Sequence, residues 1–213
     1  MVMTHSREEA EEILRPYLVS LGSIFPRAWQ SWDHLGEATP GLRLQLGKRS
    51  RASMIHDFAT SVAYEVFDGC GPAVVLDDKL GFLLMTFDSK LYVRLKKYKD
   101  GSLQTCGIPT GQRSLFFEQE PIQPTLTGWE DTTNLVLGYR PNAESTAVGS
   151  TMISCATRTR VHWTIELEMT ELKGKVINHP AAATPRDAEE PEIVSTLTEE
   201  ASDVDVDGGG IGG

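Results

Sequence analysis

Two runs of alternating side chains, joined by a polar turn, make up residues 81–98, GFLLMTFDSKLYVRLKKY. In an extended strand, successive side chains point to opposite faces. One face of the second run is apolar and carries Leu91, Val93 and Leu95. The other face carries Tyr92, Arg94, Lys96 and Tyr98. A three-residue turn at 88–90 brings the apolar sides of both runs together, so the pattern predicts an antiparallel hairpin with one buried face.

Helical and strand patterns flank this hairpin. Apolar residues at helical spacing predict a long helix over residues 51–67, RASMIHDFATSVAYEVF, which ends before Gly69. Further elements are a helix near 111–120 and strands over 73–78, 134–139, 147–155 and 161–169. The first 40 residues have helical periodicity, interrupted at Pro16. We therefore expect an α+β fold: a mainly antiparallel sheet of about six strands, with an N-terminal helical hairpin and one long central helix packed on it.

The charge is distributed very unevenly along the chain. The net charge is −10, yet residues 1–175 hold 21 acidic and 19 basic residues, and the rest holds nine acidic and one basic. The end of the chain also has few large apolar residues, a composition that predicts disorder. We expect an N-terminal helical segment packed on the body (1–45), an α+β core domain (46–172) and an acidic disordered tail (173–213).

Cysteine usage and hydropathy indicate the compartment. The three cysteines, Cys70, Cys106 and Cys155, are far apart and form no CxxC pair, as is usual in a reducing cytosol. No apolar run approaches the roughly 20 residues that span a bilayer, and the first residues do not resemble a secretory signal. We expect a cytoplasmic protein without membrane contact.

The aromatic and basic strand face is the first candidate binding surface. Lysine and arginine neutralise phosphate, and tyrosine rings can stack on bases. A second basic group, Lys48 and Arg49, precedes the long helix. The nucleic-acid-binding residues that we predict are Lys48, Arg49, Tyr92, Arg94, Lys96 and Tyr98, with RNA or DNA as the partner. The alternative is a sheet face that is solvated or covered by a helix.

Two tryptophans form the second candidate surface. Trp29 and Trp32 are three residues apart, so both indoles lie on one side of a helix. Such residues pack the helical segment against the body or bind a protein partner. The acidic tail is a further candidate segment for a partner, or a competitor for the basic surface.

No complete catalytic motif is present in the sequence. It has no HExxH, no GxxxxGK[ST], no GxSxG and no GxGxxG after a strand, and we expect no metal or cofactor. Arg51-x4-His56 resembles the Arg/His signature of HEPN ribonucleases, which act on RNA without a metal. The resemblance implies a ribonuclease in which His56 is the general base and Arg51 or Lys96 stabilises the phosphorane. If the chain is an enzyme, we expect a nuclease-type hydrolase.

The order of elements over residues 51–139 is helix, three strands, helix and strand. This order resembles the core of the PD-(D/E)xK nuclease superfamily, which uses Mg²⁺. The resemblance implies metal ligands from Asp78 or Asp88 and Glu65, with Lys96 as the motif lysine. Arg94 stands where that family has an acidic ligand, and a cation cannot ligate a metal. These residues therefore fit a degenerate relative of that superfamily, one that binds without catalysing a reaction.

Four short blocks resemble small bacterial and prophage proteins encoded in toxin–antitoxin or phage-defence operons. The blocks are RSRASMIHD (49–57), YVRLKKY (92–98), TGQ (110–112) and LVLGY (135–139). The resemblance implies an intracellular bacterial or phage-related protein that binds nucleic acid or serves in defence. The alternatives are a protein-interaction module or antitoxin-like regulator without nucleic-acid contact, and a metal-independent ribonuclease-type effector.

Overall fold

Five helices and six strands form the described part of the chain. A computed structural model describes residues 5–78, 82–99, 101–107, 110–119 and 132–169. The helices are α1 (Arg7–Leu14), α2 (Leu18–Ala38), α3 (Pro40–Gln45), α4 (Lys48–Phe67) and α5 (Gly111–Phe117). The strands are β1 (Val74–Asp77), β2 (Leu84–Phe87), β3 (Leu91–Lys97), β4 (Thr133–Pro141), β5 (Val148–Ala156) and β6 (Val161–Leu167). The predicted α+β class is confirmed. The tail predicted at 173–213 lies outside the described residues.

The six strands form one sheet in the order in which they occur along the chain. All neighbouring pairs are antiparallel except β3 and β4, which are parallel. Parallel neighbours need a crossover connection, and α5 lies in that connection. The predicted order of helix, three strands, helix and strand is present as α4, β1–β3, α5 and β4.

The β2–β3 hairpin has the register that the alternation predicts. Phe87 pairs with Leu91 and Met85 pairs with Val93. Asp88 and Ser89 adopt positive φ angles of 49° and 55°, and the N–H of Lys90 donates to the carbonyl of Phe87 at 2.9 Å. The apolar residues of both strands are buried. The predicted three-residue turn is therefore confirmed.

The N-terminal helices differ from the predicted hairpin. Ser6 and Glu9 form a capping box at the start of α1, as in many helix N-termini. Residues 15–17 then form a 3₁₀ turn with Pro16 near its start, and α2 follows with the backbone still helical. Proline at the start of a helical turn loses no hydrogen bond, so Pro16 does not reverse the chain. The reversal comes later, at Thr39, where α3 folds back on α2.

Each face of the sheet is covered by helices. On one face, α2 and α4 pack on the apolar side of β3 and its neighbours, and the Phe25 ring lies 4.6 Å from that of Tyr139 on β4. On the other face, α5 contributes Phe116 and Phe117 to a second buried cluster with Tyr92 and Tyr98 of β3. The sheet is thus a central layer, and α5 lies on the side that carries the aromatic and basic residues.

Candidate functional site

The predicted aromatic and basic strand face is buried. Tyr92 and Tyr98 are 1% and 0% exposed, and Arg94 is 7% exposed. The prediction that these three residues contact nucleic acid is therefore wrong for this structure, and the helix-covered alternative holds. The physical reason is the parallel crossover from β3 to β4, which brings α5 over this face.

Tyr98 has a structural role in this buried layer. Its hydroxyl lies 2.7 Å from Ser154 Oγ and donates to the carbonyl of Val136 at 3.2 Å. Burial raises the pKa of Tyr98 to about 12. Its ring fills the space where a side chain at Gly138 would lie, so the two positions are complementary. The hydrogen bonds and the ring contact explain why a tyrosine lies at position 98 without invoking a ligand.

Arg94 is a buried cation held between aromatic rings. Its guanidinium carbon lies 3.5 Å from the centroid of the Phe82 ring and 4.9 Å from that of Phe116. Burial, followed by the like charge of Arg113, lowers the pKa of Arg94 to about 10. Among the described residues, no carboxylate forms an ion pair with it. Arg94 therefore adds positive potential to the residues around it.

Lys96 lies at a break in the pairing along one edge of β3. The β2 ladder on that edge ends where Leu84 pairs with Arg94. Pairing resumes at Lys97, whose carbonyl accepts from the N–H of Cys106 at 2.8 Å. Lys96 falls between these two stretches. A cleft of about 530 Å³ opens there, between the end of β3 and helix α4.

This basic cleft, as we call it, brings together four cations and a histidine. Its basic and acidic lining residues are Lys48, Arg49, His56, Asp57, Lys96 and Lys97. Asp57 supplies the one carboxylate among the described lining residues, and its side chain is 80% exposed. None of the four cations forms an ion pair with a described residue. The cleft is therefore strongly positive in a chain whose net charge is −10.

Helix α4 presents its residues to the cleft through four-residue spacing. Lys48, Ala52 and His56 follow one another on one face, since residues four apart are neighbours on a helix. The small side chain of Ala52 leaves room between the two larger ones. Lys48 and Arg49 occupy the first turn, where the helix dipole favours acidic residues, and no acid is present there. Such a local cost to stability is typical of a functional surface.

The environment of the cleft alters the proton affinity of two residues. Burial lowers the pKa of His56, with the charge of Lys96 adding to the effect and Asp57, 3.7 Å from Nδ1, opposing it. The lowered pKa favours the neutral imidazole at pH 7. Burial, followed by the charges of Arg94 and Arg113, lowers the pKa of Lys96 to about 8. At pH 7 Lys96 remains largely protonated, so the cleft combines a neutral base with a cation.

Arg51 lies outside the basic cleft. Its Nη1 donates to the carbonyl of Ser145 at 3.1 Å, and its guanidinium lies over the Trp29 ring at 5.8 Å. The structure thus brings Lys48, Arg49, His56 and Lys96 together from the predicted set. It separates Arg51 from them, and it adds Lys97 and Cys106, which the sequence analysis missed. Lys97 belongs to the same basic run as Lys96, but the alternation placed it on the apolar face.

The two tryptophans are packing residues in this structure. Trp29 and Trp32 are 4% and 3% exposed. The Trp29 indole donates to the carbonyl of Thr146 at 2.8 Å, and Arg43 covers the Trp32 ring. The prediction of a partner-binding patch at these residues is therefore wrong for this structure, and the packing alternative holds.

The residues do not fit the magnesium site of the resembled nuclease core. Glu65 pairs with Arg27 at 2.7 Å, Asp78 interacts with Tyr64, and Asp88 lies in the β2–β3 turn. In the described ranges, no three His, Cys, Asp or Glu side chains come together as metal ligands would. Arg94 also occupies the position on the third strand where the resembled core has an acidic metal ligand. These residues therefore do not support a metal-dependent reaction step.

Comparisons with protein-family models, with curated proteins and with solved structures found no match. No helix in the described part of the chain has the length and apolar character needed to cross a membrane.

Proposed function

We propose that this protein binds nucleic acid through the phosphate groups, with the basic cleft as its contact site. The observation that carries the proposal is the convergence of Lys48, Arg49, Lys96 and Lys97 on one cleft, with a single exposed carboxylate beside them. Unpaired lysine and arginine side chains bind phosphates by releasing condensed counterions.

The extent of the surface favours a polymer over a single anion. The lining of α4 runs from Lys48 to Asp57, which corresponds to roughly 14 Å along a helix at 1.5 Å per residue. Lys48 and Arg49 are exposed at the rim, whereas Lys96 lies deeper. A phosphate chain can contact the rim and the interior at once, and an isolated phosphate contacts only part of this span.

The test measures the salt dependence of binding to labelled single-stranded RNA and DNA. A Lys48→Ala/Arg49→Ala variant is compared with Arg15→Ala/Lys90→Ala, which removes two exposed cations elsewhere. On a single strand, each lost phosphate contact reduces the slope of log K against log salt by about 0.7. We expect the slope of the cleft variant to fall by about 1.4 and that of the control to stay the same. Equal slopes for the two variants, or no binding by the unaltered protein, would contradict the proposal.

A metal-independent ribonuclease is the second candidate, because His56 and Lys96 line the same cleft. Neutral His56 would take the proton from a ribose 2′-hydroxyl as its oxygen attacks the adjacent phosphorus. The bond between phosphorus and the 5′-oxygen would break, and that oxygen would leave as a hydroxyl after taking a proton from water. The other fragment would keep a 2′,3′-cyclic phosphate, and Lys96 would stabilise the phosphorane charge.

The assay for this second candidate is RNA cleavage in the presence of a chelator. General base catalysis contributes typically 10²–10⁴-fold, so His56→Ala is expected to lose activity by that order while retaining RNA affinity. DNA, which lacks the 2′-hydroxyl, should stay intact. Undamaged RNA after long incubation with the unaltered protein would leave binding as the function of the cleft.

A further inference from the structure

A second cavity, with its own set of lining residues, lies on the α5 side of the sheet. It has a volume of about 460 Å³ and is bounded by α5, by residues 103–105 and by the turn between β5 and β6. We call it the arginine pocket and define it by Leu103, Arg113, Phe117, Arg158, Arg160 and Val161. None of its lining residues belongs to the basic cleft. The volume is in the range of pockets that hold small ligands.

Two of the three guanidinium groups of this pocket form no ion pair with a described acid. Arg158 pairs with Glu118 at 3.2 Å, but Arg113 and Arg160 form no ion pair with a described residue. Arg113 is fixed in place because its guanidinium donates to the carbonyls of Thr105 and Gly107 at 3.0 and 2.8 Å. Arginine presents a rigid set of donors that suits a phosphate group.

The remaining lining suits an aromatic ring and a sugar. Leu103, Phe117 and Val161 form an apolar wall, and Ser114, Thr157 and Thr159 add hydroxyl groups. An inorganic anion would leave the apolar wall without a contact, and a purely apolar ligand would leave the positive charge of Arg113 and Arg160 without a counter-charge. A nucleoside phosphate matches both parts, because it joins a planar base to a hydroxylated sugar and an anion.

We propose that the arginine pocket binds a nucleoside phosphate, with the phosphate on Arg113 and Arg160 and the base against the partly buried Leu103 and Val161. The ligand has two possible sources, a free mononucleotide or the end of a nucleic-acid strand. The proposal commits to the mononucleotide, since the pocket has the volume of a single small ligand.

The side chain of Arg160 can be removed without disturbing the fold. It is exposed, and the turn is held by backbone contacts: the N–H of Thr157 donates to the carbonyl of Arg160 at 2.8 Å. Arg160→Ala therefore tests binding and not folding. Thr159→Glu places a carboxylate on the same exposed turn and serves as an independent second variant.

The experiment is calorimetric titration of the full chain with the four ribonucleoside monophosphates, inorganic phosphate and a short single-stranded RNA. We expect saturable binding of at least one mononucleotide, with inorganic phosphate at least tenfold weaker. Arg160→Ala and Thr159→Glu should each weaken the mononucleotide by at least tenfold. Arg15→Ala, an exposed arginine elsewhere, and Lys48→Ala/Arg49→Ala should leave it unchanged, which separates this pocket from the basic cleft.

Four results would overturn the proposal, the first three of which concern the mononucleotide and the RNA strand directly. These three are the absence of saturable mononucleotide binding up to millimolar concentration, equal affinity in the Arg160→Ala and Arg15→Ala variants, and binding of the RNA strand alone. A loss of mononucleotide affinity in Lys48→Ala/Arg49→Ala without a loss in Arg160→Ala would assign the ligand to the cleft and also overturn it.

Discussion

Lys96 belongs to the alternating pattern of β3 and is also a charged residue of the cleft. It belongs to the run of alternating residues in β3, yet it lies beyond the β2 ladder and lines the cleft with His56. Burial and two neighbouring arginines lower its pKa to about 8, so its charge can be switched within an accessible pH range. An amine that loses its proton near pH 8 gives anion binding a distinct pH signature.

We predict that affinity for single-stranded RNA falls as pH rises through about 8. Below that pH Lys96 is protonated and contributes a charge-assisted contact, and above it the contact is lost. Hydrogen bonds to charged groups contribute about 1.5–3 kcal/mol, so we expect roughly a tenfold or larger loss between pH 7 and 9.5. Binding titrations by fluorescence anisotropy at constant ionic strength measure the profile.

Lys96→Arg is the matched control for this profile, because an arginine stays charged throughout the range. We expect the variant to bind at pH 7 and to keep its affinity at pH 9.5. The same fall in Lys96→Arg as in the unaltered protein would show that another group causes it.

Helix α5 is the element that makes one face of β3 inaccessible to a ligand. It covers the face that carries Tyr92 and Tyr98, and it does so with Phe116, which is 2% exposed. Phe116 packs edge-on against Phe117 at 5.6 Å and lies beside the buried guanidinium of Arg94. The helix is seven residues long, so its stability depends on this packing and not on its own hydrogen bonds.

We predict that Phe116→Ala destabilises the fold by about 3–5 kcal/mol, the usual cost of truncating a buried phenylalanine. Leu115, on the same helix, is 43% exposed, and Leu115→Ala should cost about 0.5 kcal/mol or less, as for most surface substitutions. Urea unfolding followed by circular dichroism measures both variants. If the two substitutions cost the same, α5 would be a loosely attached lid and Tyr92 would again be available to a ligand.

The elements that the sequence predicts are those that depend on local patterns. Alternation and a polar turn fix the pairing of Phe87 with Leu91, and helical spacing predicts α4 to within three residues of its start. By contrast, the burial of Tyr92 under α5 depends on the parallel crossover between β3 and β4, which are far apart in the sequence. The contacts of Arg51 with Trp29 and with the carbonyl of Ser145 are also non-local, and no spacing rule indicates them.

At the scale of the whole molecule, most of the excess negative charge lies in the residues after position 175. Residues 1–175 are close to neutral, with 21 acidic and 19 basic residues, and most of the net charge of −10 comes from the remainder. Net charge acts on a polyanionic ligand over about a Debye length, which is roughly 10 Å at 0.1 M salt. The basic cleft therefore attracts phosphate locally, while the whole chain carries the opposite sign.

We predict that neutralising the acidic residues after position 175 strengthens RNA binding at low salt. In the full-length variant, all nine are replaced by asparagine or glutamine, so chain length and the residues of the cleft stay the same. Repulsion between like charges is screened as salt increases, so the gain should be largest near 0.01 M and small near 1 M salt. A matched variant with nine serine, threonine, alanine or glycine substitutions in the same region, at uncharged positions, controls for sequence change. A gain that persists at high salt, or that the matched variant also shows, would contradict an electrostatic origin.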